Sequence, residues 1–329
     1  MSAKNDYREL CRAEATIHIF SKDWWLDAVC GPENWDVTIV KSGSRIDASL
    51  PYYLVRQLGC KVITMPHLTQ TMGVWTRYPK SQKYVSQLSL EKKVMTELID
   101  NLPRFDYFQQ NFHNSVTNWL PFYWKGFRQT TNYTYIIEDL GDLDRVFQNF
   151  KSNIRGKIRK AEKRIEVTKD STIEDFYRLN QMTFERQNLR PSYSLEFVQR
   201  IDQALKKHKA REIFFAVDAE GRQHSALYLI WDEQSSYVHM VGEDYNLRSS
   251  GAGILLVWEA IKFTSDTLGL NRFDFEGSMI ESIEEVRRSF GARQTPYFTI
   301  MKANLRGKTW RMLRTQTGRF VRAFRSRRW

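Results

Sequence analysis

Cysteine is scarce in this 329-residue chain, and Cys11, Cys30 and Cys60 show no Cys-x-x-Cys spacing. An odd number of widely spaced cysteines does not form a disulfide framework and favours a reducing compartment. We expect small buried hydrophobic side chains here rather than a catalytic thiol. Histidine pairs at a metal-ligand spacing are also missing, so we predict no metal.

Long apolar segments are equally missing. No stretch approaches the roughly 18 to 20 apolar residues that a membrane span requires, and residues 1–10 are polar with mixed charge. We therefore expect neither secretion nor a transmembrane anchor, and a cytoplasmic protein, either free or peripheral at the inner face of the membrane. The content of 42% hydrophobic and 14% aromatic residues predicts an ordered globular chain, long enough for two domains.

Acidic residues are absent from the C-terminal segment. Residues 302–329 contain ten Lys or Arg and no Asp or Glu, which leaves +2 of the net charge of +12 for the rest of the chain. Such a local excess predicts a local anionic partner. Apolar side chains recur among these arginines at near-helical intervals: Trp310, Leu313, Phe320, Val321 and Phe324. The pattern suits an anionic membrane surface, RNA, or a packed strap with a frayed basic end.

A strand, a glycine-containing turn and a helix follow one another after residue 236. Tyr237–Val241 is predicted as a strand and Ile254–Leu268 as a helix. Backbone N–H groups at such a turn, with the positive end of the helix dipole behind them, form a phosphate site. The candidate ligands are Arg248, Ser249, Ser250, Gly251, Ala252 and Gly253. The two glycines would permit positive φ and close approach of a ligand, although an ordinary turn explains them equally well.

The elements after this helix carry a resemblance. Arg272–Glu276 is predicted as a strand, Ile280–Phe290 as a helix ending at Gly291, and Pro296–Met301 as a last strand. This order resembles the GNAT superfamily of acyl-CoA N-acyltransferases, whose pyrophosphate loop, Arg/Gln-x-x-Gly-x-Gly/Ala, matches Arg248, Gly251 and Gly253. The resemblance implies acyl-CoA as cosubstrate.

Two further stretches resemble the Fem-type branch of that superfamily, namely Phe273–Gly277 and the basic helix Lys151–Arg164. Fem-type ligases that use aminoacyl-tRNA typically show Phe-Lys-x-x-Phe-Gly, whereas this chain has Val286, Arg287, Phe290 and Gly291. The resemblance implies an α/β (α+β) fold of two GNAT-like lobes, each a mixed, mostly antiparallel sheet flanked by helices. We expect a first lobe at 1–140 without a cofactor loop, a catalytic lobe at 141–302 and a basic amphipathic tail at 303–329.

An N-acyltransferase needs a base that takes a proton from the attacking amine. Strand alternation places Asp274 and Glu276 on one face, where two nearby carboxylates raise at least one pKa. Glu276 is our first choice for the base. The alternative is that these acids bind a substrate hydroxyl or pair with an arginine. His239 and Tyr237 are candidates for protonating the leaving thiolate, against the alternative of simple packing.

Substrate contacts are expected from four places. The helix around Arg155 and Arg159 carries seven cations against one acid, which suits a phosphate-bearing substrate or a tRNA acceptor stem, or only a solvated face. Tyr193 lies in the turn Arg190–Tyr193, which can flank the acceptor pocket, and Arg287 replaces the Fem-type lysine. Gln70 lies in the polar loop 65–78, which is either a substrate contact or an ordinary connection.

The leading hypothesis is therefore an acyl-CoA-dependent N-acyltransferase. Its acceptor would be a small-molecule or lipid-linked amine of a cell-envelope or polysaccharide precursor. The first alternative is a Fem-type peptidoglycan aminoacyltransferase that uses charged tRNA. The second is a non-enzymatic protein that binds membrane or nucleic acid, which would explain the tail but not the glycine loop.

Overall fold

The computed structural model describes residues 2–277 and 279–314. The tail residues Phe320, Val321 and Phe324 lie outside the described residues. The chain forms two compact units. Unit 1 contains residues 30–131 with the segments before residue 13 and after residue 296, and unit 2 contains residues 13–29 and 132–296. The division into lobes at 1–140 and 141–302 with a tail at 303–329 stays a prediction.

Helices and strands are interspersed along the described chain. The α-helices are α1 (Ala3–Ala13), α2 (Asp23–Cys30), α3 (Tyr84–Asp100), α4 (Leu120–Trp124), α5 (Leu143–Gln148), α6 (Ser152–Ala161), α7 (Ile173–Glu185), α8 (Leu195–Lys207), α9 (Ala252–Asp266) and α10 (Glu281–Arg288). The strands are β1 (Trp35–Ser42), β2 (Arg45–Gln57), β3 (Cys60–Thr64), β4 (Trp75–Thr76), β5 (Tyr107–Phe112), β6 (Arg128–Ile137), β7 (Ile165–Thr168), β8 (Arg211–Asp218), β9 (Gln223–Trp231), β10 (Ser236–Glu243), β11 (Phe273–Asp274) and β12 (Arg293–Ala303).

Unit 1 is built on strands in the order β1-β2-β3-β5-β12, with β4 beside β2. The β3–β5 pair is parallel, and its crossover contains α3, whereas β1–β2, β2–β3 and β5–β12 are antiparallel. Val94 and Leu98 of α3 are buried one helical turn apart and pack with Phe108 and Ile300 in one core. The helix therefore covers this sheet with a single apolar stripe.

Unit 2 has the strand order β6-β11-β10-β9-β8-β7. The β10–β11 pair is parallel, and its crossover contains α9. Leu255, Leu256 and Ile261 of α9 are almost fully buried and share a core with Phe214 and Leu229 of the sheet. Each unit thus contains a strand–helix–strand crossover with parallel strands inside a mixed sheet, and the predicted fold class is confirmed.

The sequence signals for helix ends correspond to the observed ends. Thr172 caps α7 through a capping box with Asp175. The helix predicted at Ile254–Leu268 is α9, followed by Gly269 in a left-handed conformation with φ of +65°. Strands β8 and β9 form an antiparallel hairpin, and Gly221 in its turn has φ of +78°.

One predicted element needs correction, and one open alternative is decided. The strand expected at Arg272–Glu276 pairs only at Phe273 and Asp274, because Glu276 has φ of +54°, which no strand residue adopts. For Trp310 the sequence left a membrane surface, RNA and a packed strap open, and this side chain is only 4% exposed and packs with Cys60, Val62 and Tyr107. This part of the tail is therefore a strap packed on unit 1.

The cysteines are free and buried, which confirms their predicted role as small apolar side chains. Within residues 2–277 and 279–314, no helix combines the length and apolar character that crossing a bilayer requires.

Candidate active site

His239 occupies an irregular position in β10. The antiparallel register with β9 shifts between Val238 and Met240, so His239 is the extra residue of a β-bulge. Bulges re-aim a side chain and are frequent beside active sites. The imidazole lies among three rings, with centroid distances of 5.4 Å to Trp25, 5.9 Å to Phe20 and 6.4 Å to Tyr228. Its side chain is 1% exposed, so the bulge directs this histidine into an aromatic shell.

Glu276 is the polar partner of that histidine. The Nδ1 atom of His239 lies 2.9 Å from Oε1 of Glu276, whose side chain is 10% exposed. Nε2 of His239 is buried and has no hydrogen-bond partner among the residues that the structure describes. The sequence placed both residues in the site, but it gave no sign that they form a pair.

The backbone of Glu276 is held in a strained conformation. With φ of +54° it is left-handed, a region that costs a non-glycine residue on the order of 1–3 kcal/mol. Its N–H donates to Oδ1 of Asp274 over 2.8 Å, and the same oxygen accepts the Thr134 hydroxyl. At Gly277 a Cβ atom would lie 2.4 Å from the carbonyl oxygen of Tyr133. Strain of this kind, fixed from several directions, is typical of functional positions.

Asp274 supports this turn from the interior. Its side chain is buried, and burial raises its pKa from 3.8 to about 6 against the lowering effect of its two hydrogen bonds. The carboxyl group accepts from Thr134 and from the Glu276 backbone. The structure thus places Asp274 beneath the site, where it fixes the backbone of Glu276.

Tyr237 is directed elsewhere. Its hydroxyl donates to Oδ2 of Asp232 over 3.1 Å, and the residue is 3% exposed. The same Asp232 oxygen accepts the backbone N–H of Ile19 over 2.9 Å. Burial beside Asp232 holds the pKa of the Tyr237 hydroxyl well above its usual range. These contacts anchor the segment around Ile19 and do not present the hydroxyl to the His239–Glu276 pair.

The predicted phosphate loop is a turn of 3-10 helix at Arg248–Ser250 followed by α9. Gly251 has φ of +78°, as a tight turn requires, whereas Gly253 lies inside α9 without positive φ, which corrects the expectation for that residue. Three amides are engaged internally: Ser250 donates to the Leu247 carbonyl, Gly251 to the Arg248 carbonyl and Ala252 to the Ser250 hydroxyl. In the described part of the chain, the amides of Ser249 and Gly253 have no such partner. The protein's own acceptors therefore already occupy part of the amide donors of this loop.

Glu243 stands at the mouth of this loop. Its Oε1 atom lies 3.6 Å from the position of a Cβ on Gly253, and its Oε2 atom lies 3.1 Å from Nε of Arg248 and 3.7 Å from Arg186. Burial raises the pKa of Glu243, and the two arginines oppose that rise. Arg248 is thus paired with a carboxylate of the protein at the place where a donor phosphate is expected.

The five predicted substrate contacts lie at separate places. Arg155 donates to the carbonyl groups of Gln148 and Phe150, so its cation serves the start of α6, while Arg159 is exposed with its guanidinium 5.7 Å from the Phe147 ring centroid. The remaining three are distributed over both units. Tyr193 donates to Oδ1 of Asn180 over 2.9 Å, Arg287 is half-buried in α10, and Gln70 of unit 1 donates to the Tyr297 hydroxyl over 3.2 Å.

Sequence reasoning missed Glu243 and Arg186 at the loop, and Phe20 and Trp25 around the histidine. A carboxylate five residues before Arg248 was visible in the sequence, and it could have been weighed against a phosphate site. Nothing in the sequence links Phe20 or Trp25 to a strand more than 200 residues later, because that contact exists only in the folded chain.

A family model described as an acetyltransferase (GNAT) domain matches residues 148–281. The search of curated proteins found no match.

Among solved structures, the fold is similar to that of FemX, with a TM-score of 0.66, 12% identity, and coverage of 91% of this chain and 96% of that one. A conserved protein of unknown function from Bacteroides thetaiotaomicron has a TM-score of 0.54 at 12% identity, covering 92% of this chain and 98% of that one. The C-terminal domain of a putative lysylphosphatidylglycerol synthetase from Agrobacterium fabrum has a TM-score of 0.53 at 10% identity, covering 95% of each chain.

The match lies on the segment that contains the basic helix α6, the bulged strand β10, the glycine loop and Glu276. The predicted resemblance is confirmed. Residues 148–281 form an acetyltransferase domain of the GNAT type, within a FemX-like fold, and the protein is an acyltransferase.

Proposed function

We propose that the protein transfers an acyl group from acyl-CoA to an amine of a cell-envelope or polysaccharide precursor, with Glu276 as the base. The proposal rests on Glu276. Its backbone is held in a strained conformation, and its carboxylate is hydrogen-bonded to the buried His239 at the bulge of β10. The same strand ends at Glu243, close to the glycine loop. Glu243 is the fourth residue after the bulge residue His239, a distance of about 13 Å at roughly 3.3 Å per residue. The acyl centre and the donor's phosphates would thus lie along one strand.

The edge of β10 supplies the surface for the donor. In the described residues, β11 pairs with β10 only at Ser236 and Tyr237, so β10 continues beyond the end of its parallel neighbour. Backbone amides on such an edge are hydrogen-bond donors for the acyl carbonyl and for the oxyanion that forms from it. A bulge at His239 also removes one residue from the ladder with β9.

The reaction needs two proton transfers, one from the attacking amine and one to the leaving thiolate. Glu276 takes a proton from the acceptor ammonium, and the neutral nitrogen attacks the thioester carbonyl carbon. The C–N bond forms as the C–S bond breaks, and the amine gives up its second proton as the thiolate leaves. That proton neutralises the thiolate directly or through water, so no external oxidant or reductant is required.

A second donor, aminoacyl-tRNA, is favoured by one specific observation. Glu243 places a carboxylate against Gly253 and engages Arg248, and this charge opposes a pyrophosphate at the loop. The amino group of an aminoacyl ester would instead pair favourably with a carboxylate. Exposed cations of α6, including Arg159, are suited to tRNA phosphates. The acceptor chemistry through Glu276 is the same for both donors.

A binding experiment separates the donors. The protein is incubated with a panel of acyl-CoAs and with mixed aminoacyl-tRNA, and the retained ligand is identified by mass spectrometry. Retention of charged tRNA without retention of any CoA thioester would refute the CoA-dependent proposal. Gly253→Ala is the matched variant, because a Cβ there meets only ordinary contacts at 3.4 Å or more. The variant should fold normally and lose donor binding if the donor approaches this backbone closely.

The acceptor and the location of the reaction form part of the same proposal. A lipid-linked amine would bring the enzyme to the inner membrane surface, and the basic tail would assist through anionic headgroups. Sedimentation of the full chain with phosphatidylglycerol vesicles, compared with phosphatidylcholine vesicles, tests that association. Equal recovery in both supernatants would remove the membrane from the proposal.

A further inference from the structure

The 2.9 Å contact between His239 and Glu276 constrains where a proton lies. Two lone pairs at that distance repel, so one proton must lie between Nδ1 and Oε1. An ionised carboxylate only accepts hydrogen bonds, and an imidazole nitrogen can donate one. With Glu276 ionised, as a base must be, Nδ1 of His239 is the donor.

The other nitrogen of His239 has no route to a substrate. Nε2 is buried, and the rings of Phe20, Trp25 and Tyr228 surround an imidazole of which 1% is exposed. Phe20 and Trp25 are themselves at most 1% exposed. An amine or a thiolate would have to displace a packed aromatic ring to reach Nε2. His239 therefore does not protonate the leaving group in this arrangement.

Glu276 has one oxygen left for chemistry. Oε1 faces His239, whereas Oε2 forms no hydrogen bond within the described residues. Its backbone is fixed by the N–H bond to Asp274, so the side-chain torsions are the remaining freedom. A hydrogen bond from a histidine that cannot move removes much of that freedom.

We infer, on the basis of the proposed function, that His239 is a positioning residue. It donates Nδ1–H to Oε1 of Glu276 and holds the carboxylate so that Oε2 takes the proton of the acceptor amine. The bulge in β10 gives the imidazole this aim, and the aromatic shell keeps the ring in one orientation. Phe20 and Trp25, from a segment far away in the sequence, thereby contribute to the position of the base.

Two variants separate the hydrogen bond from simple packing. His239→Phe keeps a ring inside the aromatic shell but has no N–H, whereas His239→Asn loses the ring and offers an amide N–H near the position of Nδ1. We expect kcat to fall at least tenfold in His239→Phe with KM nearly unchanged, and His239→Asn to recover most of the loss. Wild-type kcat in His239→Phe, or His239→Asn no better than His239→Phe, would overturn the assignment.

A spectroscopic measurement tests the same bond without turnover. In ¹⁵N-labelled protein, the histidine signals that disappear in His239→Phe belong to His239, and long-range ¹H–¹⁵N correlation then reports which nitrogen carries hydrogen. A protonated Nδ1 supports the inference, and a bare Nδ1 beside a protonated Nε2 refutes it. If wild-type protein transfers no acyl group from any donor, the proposed function fails, and the NMR result still decides the Nδ1–H assignment.

Discussion

Replacing Asp274 by asparagine should make the protein more stable at neutral pH. Burial raises the pKa of Asp274 from 3.8 to about 6, so the folded protein binds this proton more tightly than the unfolded chain does. Ionising the carboxyl group therefore costs stability as pH rises from about 4 to about 6. Asparagine offers an Oδ1 that accepts the same bonds from Thr134 and Glu276 but never becomes charged.

The size of the effect follows from the shift. At about 1.36 kcal/mol per pKa unit, ionisation of Asp274 costs about 3 kcal/mol at most. The difference in unfolding free energy between Asp274→Asn and wild type should thus grow by about 2–3 kcal/mol between pH 4 and pH 7. Urea denaturation followed by tryptophan fluorescence across this range measures the difference.

Asp139→Asn serves as the control with the opposite sign. Asp139 accepts from the Gly141 N–H and from Arg145, which hold its pKa below the usual value, so ionisation of this carboxylate favours the folded state. Its replacement should lower stability at neutral pH, and the loss should vanish as pH falls. A difference for Asp274→Asn that stays constant with pH, or that becomes less favourable towards neutral pH, would refute the reasoning.

Three further predictions concern the site. Gly277→Ala, with a clash at 2.4 Å and φ of +54°, should lower the unfolding free energy by more than about 2 kcal/mol, whereas Gly269→Ala, with φ of +65° and open space, should cost about 1 kcal/mol; equal losses in thermal denaturation would contradict the clash. Glu276→Gln should reduce kcat by roughly 10²- to 10⁴-fold with KM retained, as product mass spectrometry measures, and an unchanged kcat would exclude Glu276 as the base. Glu243→Gln should tighten CoA binding by about tenfold in calorimetry, because one opposing charge is removed, and lower pH should act in the same direction since burial raises the pKa of Glu243; equal dissociation constants would count against a phosphate beside this residue.

The elements around the site were predictable because their signals are local. The strand at Tyr237–Val241, the helix after Gly251 and the basic helix α6 follow from side-chain period, glycine and charge within short windows. The choice of Glu276 as base also came from the sequence, but its reason was incomplete. Alternation cannot show that φ at Glu276 is positive. The Glu276 N–H donates to Asp274, two residues earlier, and the carboxyl group of Asp274 is itself held by Thr134, a residue far away in the sequence.

The remaining features depend on long-range packing. Trp310 can pack on unit 1 because the strap approaches closely at Gly307. A Cβ atom at that position would lie 1.9 Å from the Asp106 carbonyl oxygen, so the approach requires glycine. The bulge at His239 depends on the register between two strands, which composition does not specify. The glycine pattern indicates where a phosphate could bind, but it does not include nearby carboxylates. Glu243, which competes with a phosphate for Arg248, was therefore overlooked.

The hydrogen bond from Ile19 to Asp232 joins residues 213 positions apart in the chain. A fragment that begins at residue 132 would therefore leave Asp232 with one donor fewer and would uncover the imidazole that Phe20 and Trp25 enclose. During synthesis on the ribosome, this early segment must wait for most of the polypeptide before its partners exist. If His239 positions Glu276 as proposed, each new chain gains its activity late, after residues 19–25 have packed against strands from the last third of the sequence.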